Sequence, residues 1–221
     1  LGLVVALKPS LAPVLLWPMF RRDWRTLGAA VLTGAAATLL GVLAAGPRAT
    51  FSYARVLLDE QITGYWDNAS LRSTAIRFFT DNDYTQSLVD LPWIVPVVQA
   101  LALGLVALTA YAVRGGSEWG LWAVVAASLM ASPVAWHNYL VLLAPAVVLL
   151  VSRRWYAAGV LLIGLQLIPA QWTLLWNEQG TLLATVALSL YSFILVAHWI
   201  SLVAAAKLTV PDKSAAQPAG N

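Results

Sequence analysis

The sequence predicts an all-α protein: a polytopic transmembrane helical bundle of about six or seven membrane segments, with a long outer loop carrying short amphipathic helices. Three observations predict it. Hydrophobic residues make up 60% of the 221 and charged residues only 10%, with a mean hydropathy of +0.76, more apolar surface than a water-soluble domain of this size can hide. Apolar runs close to the roughly 20 residues of helix needed to cross a bilayer core recur along the chain. The basic residues stand in short clusters at the ends of those runs, where charges orient helices in a membrane.

The first run is Leu1–Phe20, closed by RRDWR (Arg21–Arg25). Thr26–Gly46 forms a second span, rich in Ala, Gly and Leu, and Pro47–Pro92 is a long polar connection. Trp93–Val113 is the third span, ending at RGGSE (Arg114–Glu118). Trp119–Ala131 and Tyr139–Val151 follow, each about 20 Å as helix and so short for a membrane core, reading as a hairpin of short or tilted helices around ASPVAWHNYLV (Ala131–Val141). After SRRW come a run from Tyr156 to Ile168, the turn PAQWTLLWNEQG (Pro169–Gly180) and a last span from Thr181 to about Ala206. This divides the chain into a transmembrane domain, 1–206, with 47–92 as its extracytoplasmic loop, and a small, polar, proline-containing cytoplasmic tail, 207–221, that reads as disordered. The chain opens on Leu1, without Met or the marks of a signal peptide, so it reads as beginning inside a longer protein.

If each run crosses once, one side collects Arg21, Arg22, Arg25, Arg114, Arg153, Arg154, Lys207 and Lys213 against Asp23, Glu118 and Asp212. The other collects Arg48, Arg55, Arg72 and Arg77 against Asp59, Glu60, Asp67, Asp81, Asp83, Asp90 and Glu178. The positive-inside rule makes the first side cytoplasmic. The long loop, the Ala131–Val141 motif and the Pro169–Gly180 turn then share the outer face, predicting a multi-pass plasma-membrane protein whose active face is extracytoplasmic.

Cysteine is absent, and two histidines without a carboxylate cluster make a poor metal site, so no metal and no cofactor are expected. The basic clusters need no nucleic-acid partner; the surrounding partner is membrane lipid. In the outer loop, ASLRSTAIRFF has helical spacing, with Leu71, Ala75, Phe78 and Phe79 on one face, Arg72 and Ser73 elsewhere, and Asn68 or Ser70 as N-cap. FSYARVLL (Phe51–Leu58) is a weaker helix of the same kind, and such helices also serve simply to cover span ends. Asn68-Ala69-Ser70 fits a glycosylation sequon, a short pattern common by chance. Lys8, before Pro9 inside the first run, either faces a cavity suited to a phosphate or snorkels to the headgroups. Ser132-Pro133 breaks a helix, and Trp136 and Tyr139 suit the interfacial belt. His137 and Asn138 at that break point to an outward pocket, with His137 donating a hydrogen bond or carrying a proton and Trp136 as a stacking platform.

The ordered set ALKPSLAPVLLWPMFRRDWR, DNASLRSTAIRFF and SPVAWHNYLVLLAPAVVLL resembles the C-terminal half of glycosyltransferase family 87, over about residues 1–155. The chain departs from that family's pattern at Ala69, where a small polar residue is usual, and at His137-Asn138, where two histidines often stand. The resemblance implies a partial GT-C-type bundle and a hexosyltransferase moving a sugar, mannose in characterised members, from a polyprenyl-phosphate-linked donor to a glycolipid or glycan acceptor. It also implies a catalytic carboxylate upstream of Leu1, in the missing N-terminal part of the same enzyme, so the catalytic residue is unknown within this chain and the isolated fragment is expected to be inactive. Lys8, Arg77 and His137 are the expected phosphate-holding groups, and Asn68 and Ser70 either hold sugar hydroxyls or cap a helix. Asp81 and Asp83 are alternative bases. A non-enzymatic polytopic protein, such as a transporter or flippase component or a scaffold subunit, fits the same composition, although no internal repeat of the kind transporters show is visible.

Overall fold

In a computed structural model the described residues are 1–59, 64–65, 67–115, 118–168 and 181–208. Among them every regular element is helical. In chain order these are α1 (Gly2–Leu7), a 3-10 turn over Pro9–Leu15, α2 (Leu16–Phe20), α3 (Trp24–Ala45), α4 (Pro47–Asp59), α5 (Leu71–Phe79), α6 (Ile94–Ala112) and α7 (Glu118–Ala131). A second 3-10 turn, His137–Leu143, leads into α8 (Ala144–Ser152), followed by α9 (Tyr156–Gln166), α10 (Leu182–Leu188) and α11 (Leu190–Leu208). Helices α3, α6 and α11 are long and apolar enough to cross a membrane, and Pro9–Phe20, Glu118–Ala131, His137–Ser152 and Tyr156–Gln166 are shorter apolar segments. The protein is an all-α membrane bundle.

Helix α7 is its axis. Ala123, Ala126, Ala127, Ser128 and Ala131 are all buried, and these small side chains let α6, α11 and the Pro9–Leu15 turn close in on different sides of one helix. Larger residues from the neighbours, among them Val106, Leu195 and Leu202, fill the space between. Helix α3 lies outside this core: only Ala30 on it is buried, and α1 rests against it with Gly2 packed on Ala30 and Gly34.

The two ends of the bundle differ in charge. Phe20 meets Tyr111 edge-on at 5.9 Å, Trp17 reaches Gly120, and Arg153 Nη2 pairs with Glu118 Oε1 at 2.8 Å. The arginine clusters at 21–25, 114 and 153–154 therefore share one end, while Asn68 and Pro133 meet at the other. Arg22 and Arg154, each one residue past the cap that closes the preceding helix, have positive φ (58° and 67°). Glycine would adopt that conformation without strain, but it would remove a charge from each turn.

Two predicted runs are not continuous helices. Leu1–Phe20 breaks at Lys8-Pro9, because the proline pushes Lys8 to extended backbone (φ −138°, ψ 85°) and Pro13 keeps the next turn in 3-10 form. The last run breaks at Ser189 between α10 and α11, and α11 continues to Leu208, so Lys207 is helical rather than the first residue of a tail. Residues 209–221 and the Pro169–Gly180 turn lie outside the described residues. Helix α4 is longer than FSYARVLL, and α5 buries the polar Ser73 and Arg77 together with Ala75, while Leu71 packs partly buried against the core and Phe78 and Phe79 are only partly buried.

Gly120 marks a close approach in the core. A Cβ there would stand 2.9 Å from Trp17 Nε1 and 3.0 Å from the Val113 carbonyl oxygen, whereas one at Gly104 meets nothing within 4 Å. Gly120→Ala is expected to destabilise the bundle by about 1–3 kcal/mol through overpacking, and Gly104→Ala to leave it unchanged or slightly better, as measured by thermal unfolding in detergent.

Candidate functional site

The break after α7 frees backbone groups that no helix satisfies, and the loop preceding α5 supplies their partners. Asn68 Nδ2 donates to the Pro133 carbonyl at 3.2 Å, while its Oδ1 accepts from the amides of Ala135 (2.9 Å) and Ser70 (3.1 Å). The Ala69 amide donates to the Ala135 carbonyl at 2.7 Å and the His137 amide to the Asp67 carbonyl at 2.9 Å, so 67–69 and 135–137 run as a short antiparallel bridge. Ser70 is the N-cap of α5, its Oγ accepting from the Ser73 amide at 3.1 Å.

This bridge sets His137 beside Asp67. His137 Nδ1 pairs with Asp67 Oδ1, and the other side of the imidazole stacks on Tyr191 of α11, with ring centroids 5.0 Å apart and planes within 23°. Both members of the pair keep solvent access, 42% for the His137 side chain and 21% for Asp67. With Nδ1 held by a carboxylate, Nε2 is the nitrogen left to act on a ligand: a donor when the ring carries both protons, an acceptor when it carries one. Tyr65 stands edge-on to both Trp136 (6.2 Å) and Tyr84 (5.4 Å), fixing the rim around the pair. Lys8 Nζ lies 2.8 Å from the centroid of the Tyr139 ring, two residues past His137.

Below this rim, α1, the Pro9–Leu15 turn, α7 and Val141–Pro145 enclose a groove of about 350 Å³. Its walls, Val4, Val5, Leu11, Leu121, Val125 and Leu142 among them, are entirely apolar. Lys8 lies on the segment between Val5 and Leu11, so a cation adjoins an apolar slot.

The sequence model of glycosyltransferase family 87 matches residues 1–133. The chain belongs to glycosyltransferase family 87. No curated protein and no solved structure matches it. As a member of family 87 it is a membrane glycosyltransferase, and the match takes in Lys8, Asp67, Asn68, Ser70 and Arg77, whereas Trp136 and His137 lie just past its end.

Of the residues singled out by sequence, the structure gathers His137, Trp136 and Lys8 around an accessible rim. Asn68, Ser70 and Arg77 are placed differently: they are buried and engaged within the protein. Asn68 clamps the helix break and Ser70 caps a helix, and the burial of the Asn68 amide closes its sequon to modification. Arg77 donates to Ser189 Oγ (2.9 Å), the carbonyls of Tyr65 (3.0 Å) and Asn68 (3.1 Å), Ser73 Oγ (3.0 Å), Thr74 Oγ1 (3.2 Å) and Ser192 Oγ (3.0 Å). Burial pushes its pKa down to about 9. All six partners accept, so the five N–H groups of the charged fork serve them, with Nη1 sharing its two among three, and its donors are spent inside the protein rather than on a phosphate.

Asp67 and Tyr191 are the site residues that sequence reasoning missed. Asp67 opens the DNAS stretch directly before Asn68, and its partner stands seventy positions away. Tyr191 sits inside an apolar run, where only the hydroxyl stripe Thr185, Ser189, Ser192 at helical spacing signals a polar face.

Asn68→Ala removes three hydrogen bonds at once and leaves the buried amides of Ser70 and Ala135 without that acceptor, at about 1–3 kcal/mol for each unmet group, while Ser70 Oγ still donates to the Pro133 carbonyl. Ser70→Ala loses an N-cap worth about 1 kcal/mol. Thermal unfolding is expected to rank Asn68→Ala as clearly the more damaging of the two.

Proposed function

We propose that this chain binds the leaving-group side of a lipid-linked sugar donor, as part of an enzyme that moves mannose from a polyprenyl phosphate to a glycolipid or glycan acceptor at the outer face of the plasma membrane. The observation that carries this reading is the juxtaposition of the Asp67–His137 pair and Lys8 with an apolar groove. A polyprenyl phosphate has the same two parts, an anionic head and an apolar tail. When the sugar–phosphate bond breaks, negative charge develops on the phosphate. A doubly protonated His137, held by Asp67 through Nδ1, donates Nε2–H to one of its oxygens, and Lys8 adds a cation on the groove side. The groove takes the first isoprenoid units at membrane depth. In this reading the base that removes the acceptor's proton is supplied from outside the two segments that meet at Asp67 and His137.

The separation of charge between the two ends of the bundle supports the orientation. The arginine-rich end belongs in the cytoplasm by the positive-inside rule, which puts the Asp67–His137 rim on the opposite face.

In the full-length enzyme, His137→Ala is expected to lower mannose transfer from polyprenyl-phosphate mannose by about 10²-fold, the usual cost of losing one donor to a developing oxyanion, with membrane insertion intact. Unchanged transfer would reject the role. Val125→Phe, which fills the groove, is expected to raise KM for long-chain polyprenyl donors and to leave short-chain donors unaffected. Equal effects on both would mean that the groove holds no tail.

A further inference from the structure

Arg77 has no exposed surface, no carboxylate among its described partners, and six hydrogen bonds from its guanidinium. A buried cation is costly to maintain, and neutral partners offset that cost less fully than an opposite charge does. The placement of those partners shows what the arrangement accomplishes. Two are the carbonyls of Tyr65 and Asn68, which bracket Asp67 in the chain. Two more are the hydroxyls of Ser189 and Ser192, which bracket Tyr191. Asp67 and Tyr191 are the residues that hold the His137 ring, one through Nδ1 and the other by stacking.

We propose that Arg77 is a positioning residue: it locks the Asp67 loop and the start of α11 into one unit, so that the His137 imidazole is held between carboxylate and phenol in a fixed orientation.

The remaining contacts serve the same end. Ser73 and Thr74, which lie on α5 with Arg77, each accept a hydrogen bond from the fork, and Thr74 Oγ1 also donates to Ser192 Oγ at 2.7 Å. Ser189 Oγ in turn donates to the Thr185 carbonyl at 3.0 Å, using the hydroxyl proton that Arg77 does not need. The helix break at Ser189 brings that hydroxyl and the one at Ser192 to face one guanidinium. Lysine has three donors on a single nitrogen and arginine five on a planar fork, so lysine can hold one of the two brackets but not both.

This inference rests on the proposed role of His137 for its effect on catalysis, but it can be read without catalysis. The chain has two histidines, His137 at the rim and His198, which is buried in α11 with Nδ1 at 2.8 Å from the Ile194 carbonyl oxygen. Carbethoxylation of the full-length enzyme by diethyl pyrocarbonate, followed by mass spectrometry of the two peptides, reports the exposure of each. Arg77→Lys is expected to raise the modification rate at His137 several-fold while His198 stays protected, and to lower kcat and kcat/KM for sugar transfer together with little change in donor KM. The double substitution Ser189→Ala with Ser192→Ala removes only the α11 bracket, leaves Arg77 in place, and is expected to shift both readouts in the same direction by less; it carries the test if Arg77→Lys does not fold. Wild-type reactivity at His137 in a folded variant would overturn the proposal, and so would equal gains at both histidines, which report general loosening. If His137→Ala transfers sugar normally, the proposed function fails, while the modification rates still decide whether Arg77 positions the ring.

Discussion

A helix that stops short in a membrane protein leaves amide and carbonyl groups that lipid cannot satisfy, and the rest of this site depends on how those groups are met. Helix α7 ends at Ala131, with Pro133 just beyond it. One side chain, Asn68, accepts from Ala135 and donates to Pro133, the backbone of residues 67–69 adds two more bonds, Gln99 of α6 donates to the Ala131 carbonyl and Ser132 Oγ to the Val134 carbonyl. Because the partner comes from the loop before α5, satisfying the break also brings that loop across the end of the bundle. Asp67 then lies beside His137 as a consequence of register: the paired residues 67–69 and 135–137 place the carboxylate and the imidazole at the same rung.

The same economy governs α5. It is a short amphipathic helix that packs on α6, and alongside Ala75 it also buries hydroxyls and a guanidinium. Ser70 caps it, Ser73 and Thr74 serve as acceptors, and Arg77 connects it to α11. A polar helix face can be buried here because the last apolar run presents Thr185, Ser189 and Ser192 toward it, with Thr185 Oγ1 also donating to the Gln86 carbonyl at 2.8 Å. The loop that carries α5 is thereby fastened to the bundle by hydrogen bonds, while the bundle itself is held by the close packing of small residues along α7.

Chemically, the site has two unlike halves. The hydrogen-bonded rim is polar and partly open, whereas the groove between α1 and α7 is lined by aliphatic and aromatic side chains. Lys8 stands where they adjoin, at the proline break that keeps α1 from continuing into α2. That break gives the first segment a polar position between apolar stretches without exposing an unpaired helix interior, since the Lys8 carbonyl accepts from the Leu11 amide at 3.0 Å.

Composition and spacing alone determined the membrane class, the helical content, the position of nearly every segment and the grouping of the arginine turns at one end. These follow from hydropathy and from charge at run ends, which are local properties of the chain. The sequence also pointed to Lys8, an ionisable group before a proline in an apolar run, and to His137, beside Asn138 at the break between two apolar runs. What only the tertiary structure decided is which polar groups meet. Nothing local distinguishes Asp67 from the other loop carboxylates, or marks Ser189 as the point where the last run breaks; their significance comes from His137 and Arg77, far away in the chain. Arg77 shows the same limit from the other side. Its charge suggested a phosphate ligand, but a guanidinium answers to whatever acceptors surround it, and here the folded chain supplies six of its own.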